Sequence, residues 1–203
     1  MSNQEKVMVY VDGFNLYFGI VSKYPNTKWL NIWQLAQNIL KPHQSLIGVK
    51  YFTSLVSNNP QKEKRQRDFL SAIQTTPVQI IYGHYQSTPT SCKKCGHSWN
   101  DNEEKMTDVN IAVNMITDAI EDKYDTAILI SGDSDLVPAI NSIHKYFPQK
   151  RVVVLFPPDR HNISVKNSAK GSYILGRKKL VASQFPQVVT TSLGYQITKP
   201  KSW

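Results

Sequence analysis

Apolar residues in this 203-residue chain fall into two alternating patterns. Short runs without helical period occur at residues 7–11 (VMVYV), 49–56 (VKYFTSLV), 78–82 (VQIIY), 126–131 (TAILIS) and 151–156 (RVVVLF). Runs of this kind predict strands buried on both faces. Between them, apolar residues recur every three or four positions, which predicts helices. Residues 14–20 begin the first. Residues 29–40 (WLNIWQLAQNIL) place apolar side chains at 29, 32, 33, 35, 36, 39 and 40 before Lys41-Pro42 closes the pattern. Residues 61–74 turn Phe69, Leu70 and Ile73 inward behind an Asn59 cap and Pro60. A helix over 108–122, capped by Thr107, is expected to bury a stripe at 109, 112, 113, 116, 119 and 120. Residues 136–147 form another helix, with Pro138 tolerated in its first turn, and a short one is expected at 164–170.

Strands alternating with helices predict an α/β, three-layer fold with a mainly parallel central sheet flanked by helices. Residues 83–102 lack regular period and read as an inserted loop in a domain of residues 1–160. Residues 161–203 read as a basic C-terminal extension packed on that domain. No run approaches the roughly 18–20 apolar residues of a membrane span, and MSNQEK at the start has no signal-peptide core behind it. Two cysteines three positions apart suit a reducing, cytoplasmic compartment rather than a disulfide framework.

Charge changes the picture. The net charge is +9, yet residues 101–135 hold 10 acidic and 2 basic side chains. The flanking segments hold 11 basic residues each, against 4 acidic before and 1 after. A basic chain with its carboxylates gathered in one stretch suggests a polyanionic partner, with a plain solubilising surface as the alternative. Ligands of an open parallel sheet sit outside the carboxyl ends of its strands. Asp12 follows the first strand, Asp133 and Asp135 follow the TAILIS strand, and Asp108 opens the helix leading into that strand. Four carboxylates meeting at one edge repel and call for a cation, and all-oxygen ligation suits Mg2+ or Mn2+. A single Asp after a strand is more often a turn residue or a helix cap, but three such segments in one chain make that coincidence harder to sustain.

The segments VYVDGFNLY (9–17), EKMTDVNIA (104–112) and ISGDSDLVP (130–138) resemble, in order and spacing, the motifs of the NYN domain family, the LabA or DUF88 type, within the PIN-like ribonuclease superfamily. SQFPQV (183–188) and GYQITKPKSW (194–203) also look like that family's ending. The resemblance implies a PIN-like fold and metal-dependent endoribonuclease activity on single-stranded or structured RNA. It further implies that Asp12, Asp108 and Asp133 hold the metal and that Asp135 completes the cluster, directly or through water. Asn15 would then hydrogen-bond substrate or a metal-bound water, or else serve only at a helix start. Lys105 is either a phosphate contact or a counter-charge for Glu103 and Glu104. A nucleic-acid-binding regulatory module with little turnover, on the same fold, is the alternative.

Cys92-Lys93-Lys94-Cys95-Gly96-His97 has the form of half a zinc knuckle. His97 and His84 are the nearest candidates to complete a structural Zn2+ site. Alternatively a second copy lends its own cysteine pair across a homodimer interface, or the thiols are ordinary. Residues 160–203 carry 8 basic and no acidic side chains, a natural surface for phosphates, with Tyr173, Tyr195 and Trp203 available for stacking. Lys62, Lys64, Arg65 and Arg67 form a second basic cluster. A haloacid-dehalogenase-like phosphatase would need Asp-x-Asp after the first strand, where the chain has Asp12-Gly13-Phe14, and no G-x-x-x-x-G-K-[ST] loop occurs.

Overall fold

The computed structural model describes residues 4–57 and 59–203, leaving aside the side chains of residues 85–88 and 99–104. The expected counter-charges Glu103 and Glu104 fall among the latter, and residues 1–3 of the N-terminal segment lie outside the described residues.

In chain order the first half is β1 (Glu5–Asp12), α1 (Gly13–Lys23), α2 (Ile32–Ile39), β2 (Gln44–Thr53), α3 (Pro60–Ile73), β3 (Val78–Tyr82), β4 (His84–Ser91) and β5 (Ser98–Lys105). The second half is α4 (Thr107–Ile120), β6 (Thr126–Ile130), α5 (Val137–Tyr146), β7 (Arg151–Phe156), α6 (Ile163–Ser168), β8 (Gly171–Ile174), α7 (Arg177–Ala182), β9 (Val188–Thr190) and β10 (Gln196–Thr198). Six strands form one sheet in the order β3-β2-β1-β6-β7-β8, and every neighbouring pair is parallel. The sheet grows outward first on one side of β1 and then on the other. That reversal makes β1/β6 the topological switch point of a doubly wound sheet.

Period-two alternation along β1 builds the two cores. Val7, Val9 and Val11 face one side, packed with Leu16, Ile20, Leu35, Phe69 and Leu180. Met8 and Tyr10 face the other, packed with Ile111, Met115, Ile140 and Val165. Helices α1–α3 and α7 therefore cover one face and α4–α6 the other, giving the three layers expected.

The last sheet strand, β8, lies in the segment read as an extension beyond residue 160; four residues at an edge give no apolar run. Residues 183–203 pack on the α1–α3 face, where Phe185 meets Trp29 and Trp203 stands against Trp29, Phe69 and Tyr17. The segment expected as an aperiodic loop is the antiparallel hairpin β4–β5, inserted between β3 and α4. Helix α4 corrects the expected stripe. Its buried residues are Thr107, Ile111, Met115, Asp118 and Ala119, whereas Val109, Val113 and Ile120 are exposed. The helix is rotated because Asp118 is drawn inward by Lys50 Nζ (2.5 Å) and the Tyr10 hydroxyl (2.7 Å). Thr107 is the first helical residue rather than the cap, and Met106 before it is left-handed at φ 71°.

Candidate active site

Strand β1 ends at Asp12 and β6 ends just before Ser131, so both deliver polar groups to the carboxyl edge at the switch point. Asp12 is buried, with 4% of its surface exposed, and both its oxygens are engaged. Oδ1 accepts the Asn15 backbone N–H at 3.0 Å, which caps α1. Oδ2 accepts the Ser131 hydroxyl at 2.8 Å, and Ser131 Oγ in turn accepts the Asp133 N–H at 3.1 Å. The Asn15 side-chain carbonyl takes the Gly132 N–H at 3.1 Å. Strands β1 and β6 are thus tied at their ends by two side chains. Gly132 is required here because a Cβ would run into the backbone carbonyl of Arg160.

Asp133 Oδ1 accepts the Asp135 N–H at 3.0 Å and caps the single turn Ser134–Leu136. The cap and ligand readings of Asp12 and Asp133 are compatible, since each capping bond leaves lone pairs on the carboxylate. Asp108 stands half-buried in the first turn of α4. Burial, then the negative charges of Asp133 and Asp135, hold its carboxyl above the usual carboxylate range. The charges of Asp133 and Asp135 therefore reach Asp108 from a separate segment, and Ser131 links the Asp12 carboxylate to the Asp133 backbone.

The donors fit a hard divalent cation in kind. They are oxygens only, and among the described residues Asp108, Asp133 and Asp135 form no ion pair that would offset their repulsion. Their arrangement is open: among the described residues, no three carboxylate, imidazole or thiol groups stand together as a ligand set.

The cysteine pair occupies the turn of the β4–β5 hairpin. Cys92 N–H donates to the His97 carbonyl at 2.8 Å, Gly96 N–H donates to the Cys92 carbonyl at 2.9 Å, and Gly96 takes φ 71°. The N–H groups of Cys95 and Lys94, with the Cys95 thiol, hold the Cys92 thiol below its ordinary range. His84 does not belong with them. It opens β4 opposite Lys105, seven residues of extended strand from Ser91, or about 23 Å at ~3.3 Å per residue. Period-free sequence gave no sign that an extended hairpin would separate the two.

Two groups carry more of the site than sequence patterns revealed. Ser131 looks like the last residue of a buried strand, yet it joins Asp12 to Asp133; its only signal is a hydroxyl between two strand-end motifs. The other is an aromatic cleft beside Gly13, described below.

Comparison with known proteins agrees with this architecture. The family model of the NYN domain matches residues 6–176. The chain is similar to a Pseudomonas putida protein named 6-hydroxy-3-succinoylpyridine 3-monooxygenase, at 24% identity over 242 aligned positions, covering 98% of this chain and 75% of that protein. It is also similar to the crystal structure of a protein of unknown function from Vibrio parahaemolyticus, with a TM-score of 0.61 and 20% identity over 87% of this chain and 96% of the other. At that identity the second likeness speaks for the fold alone. The family match runs from β1 through β8 and takes in Asp12, Asp108, Asp133 and Asp135; the chain belongs to the NYN domain family.

Proposed function

We propose that this protein is a Mg2+- or Mn2+-dependent endoribonuclease that hydrolyses RNA phosphodiester bonds at the edge bearing Asp12, Asp108, Asp133 and Asp135. Family membership supports a nuclease-type function in general. The observation that carries the finer reading is the placing of Asp12 and Asp133 at the carboxyl ends of β1 and β6, linked through Ser131 at the switch point of a parallel sheet, in a chain of net charge +9. Ser131 and the Asn15 N–H orient Asp12, while the cap bond orients Asp133. Asn15 spends its carbonyl on Gly132, so its amide NH2 is the end left to meet a phosphate oxygen. The basic flanks hold the polyanion close to an edge that would otherwise repel it. When bound by these acids, a divalent cation supplies Lewis acidity for water and for the departing oxygen.

A second reading, an RNA-binding module with little turnover, draws on the open arrangement of the acids. Incubating single-stranded RNA, structured RNA and DNA with the wild type and Asp12→Asn, in Mn2+ or EDTA, separates the two. The expected result is RNA cleavage that needs both metal and Asp12. Activity that persists in EDTA or in the variant overturns the mechanism, and binding without cleavage under every metal favours the module. The reading also carries a structural Zn2+ on Cys92 and Cys95, with His97 or a second copy's pair completing it, in a reducing, cytoplasmic setting. No described helix is long and apolar enough to cross a membrane.

A further inference from the structure

Gly13, the residue after Asp12, also lines a cleft of about 290 Å3 on the α1–α3 side of the sheet. Consecutive Cα atoms lie 3.8 Å apart, so the cleft reaches to within one residue of Asp12 at the carboxyl end of β1. The cleft wall is aromatic: Phe14 and Tyr17 from α1, Phe69 from α3, and Trp203. Trp203 stands 5.3 Å from Phe69 and 6.2 Å from Tyr17 between ring centroids, and Tyr17 is 37% exposed at the mouth.

The rim is cationic, with Lys28, Lys62 and Arg65 contributing from two segments. Among the described residues none of the three forms an ion pair. Lys28 donates to the Ser202 carbonyl at 2.7 Å and lies 5.8 Å from the Trp203 ring centroid. Burial, then the positive charges of Arg65 and Lys199, depress its ammonium below the usual lysine range. Cations crowded together with no ion pair of their own leave a place that an anion would relieve.

An aromatic slot with a cationic rim suits a planar heteroaromatic ring that carries an anionic group. Its volume, near the lower end of the ~300–1,000 Å3 of small-molecule sites, admits one such ring and little else. A base paired within a duplex has neither face free to enter. We propose that the cleft is a nucleobase subsite: one unpaired nucleotide of a single strand seats its ring among Phe14, Tyr17, Phe69 and Trp203, and an adjoining phosphate meets Lys28, Lys62 and Arg65. The strand then continues from Gly13 onto the carboxylate edge. In naming a strand as the occupant, the assignment rests on the ribonuclease reading. It makes the protein selective for unpaired RNA without reading sequence.

The test is fluorescence anisotropy with the full chain in EDTA, where cleavage does not intervene. The probes are a labelled single-stranded five-nucleotide RNA, the same RNA with an abasic position moved along it, a duplex, and a free mononucleotide. One abasic position should weaken binding about 5- to 150-fold, the worth of one base–aromatic stack. Tyr17→Ala should lose a similar factor and become indifferent to that abasic position. Lys62→Glu, at an exposed site that folding does not need, should weaken strand binding and flatten its salt dependence.

No sensitive abasic position, or equal binding of the duplex, overturns the subsite. So does a free mononucleotide that matches the strand, because the cleft would then serve a small heteroaromatic anion. Base-dependent binding with no cleavage under any metal sinks the ribonuclease reading and leaves the cleft standing. Cleavage with no base dependence does the reverse.

Discussion

Replacing Ser131 with alanine removes one oxygen that serves two partners. The hydroxyl donates to the buried Asp12 carboxylate at 2.8 Å and accepts the Asp133 N–H at 3.1 Å. A hydrogen bond to a charged group contributes about 1.5–3 kcal/mol, and a neutral one about 0.5–1.5 kcal/mol. Packing changes little with the loss of a single oxygen, so the expected destabilisation is about 2–4 kcal/mol. For a chain of this length that lowers the melting temperature by roughly 4–16 °C. Urea titration of the wild type, Ser131→Ala, Asp12→Asn and the double variant measures the coupling. In Asp12→Asn the serine bonds a neutral amide, so Ser131→Ala should then cost at least ~1 kcal/mol less. Effects that add within ~0.5 kcal/mol would show that Ser131 does not act through Asp12. A variant of native stability that has lost RNA cleavage would instead assign the hydroxyl to the substrate.

Two further outcomes follow from groups away from the acids. Burial by itself would raise the Asp118 carboxyl, but hydrogen bonds from Lys50, Tyr10 and Lys123 outweigh it and hold it below the ordinary range. Its folded value is therefore lower than its unfolded one, so its contribution is complete above about pH 5 and fades as pH falls through the folded value. Asp118→Asn should reduce stability at pH 7 and flatten the acid limb of urea stability against pH; an unchanged limb would show that the pair does not govern it. Protein purified without chelator should carry zinc, near one per chain if His97 or water completes the site and near one half if two copies share it. Cys92→Ser should abolish it, and a wild-type ratio near zero removes the knuckle.

Strands β3 and β7 could be read residue for residue because both are short apolar runs bounded by turns. Asp12, Asp133 and Asp135 are legible for a related reason: parallel strands end where apolar runs end, and side chains just beyond share one edge. The buried face of helix α4 is not legible from its apolar spacing, because it includes Asp118. Asp118 is buried through partners on β1 and β2 that no local window contains. Strand β8 and the hairpin lacked apolar alternation altogether. The aromatic cleft was the least legible feature, since its walls come from residues 14, 17, 69 and 203 and meet only after the sheet has formed. The sequence marks Trp203 as a residue able to stack, while its contact with Phe69 comes only from the fold.

The root of the hairpin is unusually tight. Gly83 lies so close to Thr107, Ser54 and the Lys105 carbonyl that a side chain there would meet all three. Residues 83 and 107 are thus neighbours in space whatever lies between them, and the intervening chain adds length to the crossover without adding span. The turn that carries Asp108 is fixed by this pinch and by packing of Ile111 and Met115, not by the far tip. Cys92 and Cys95 stand at the opposite end of the hairpin from this pinch. This crossover is a place where the chain can exchange one accessory element for another while its chemistry stays where it is.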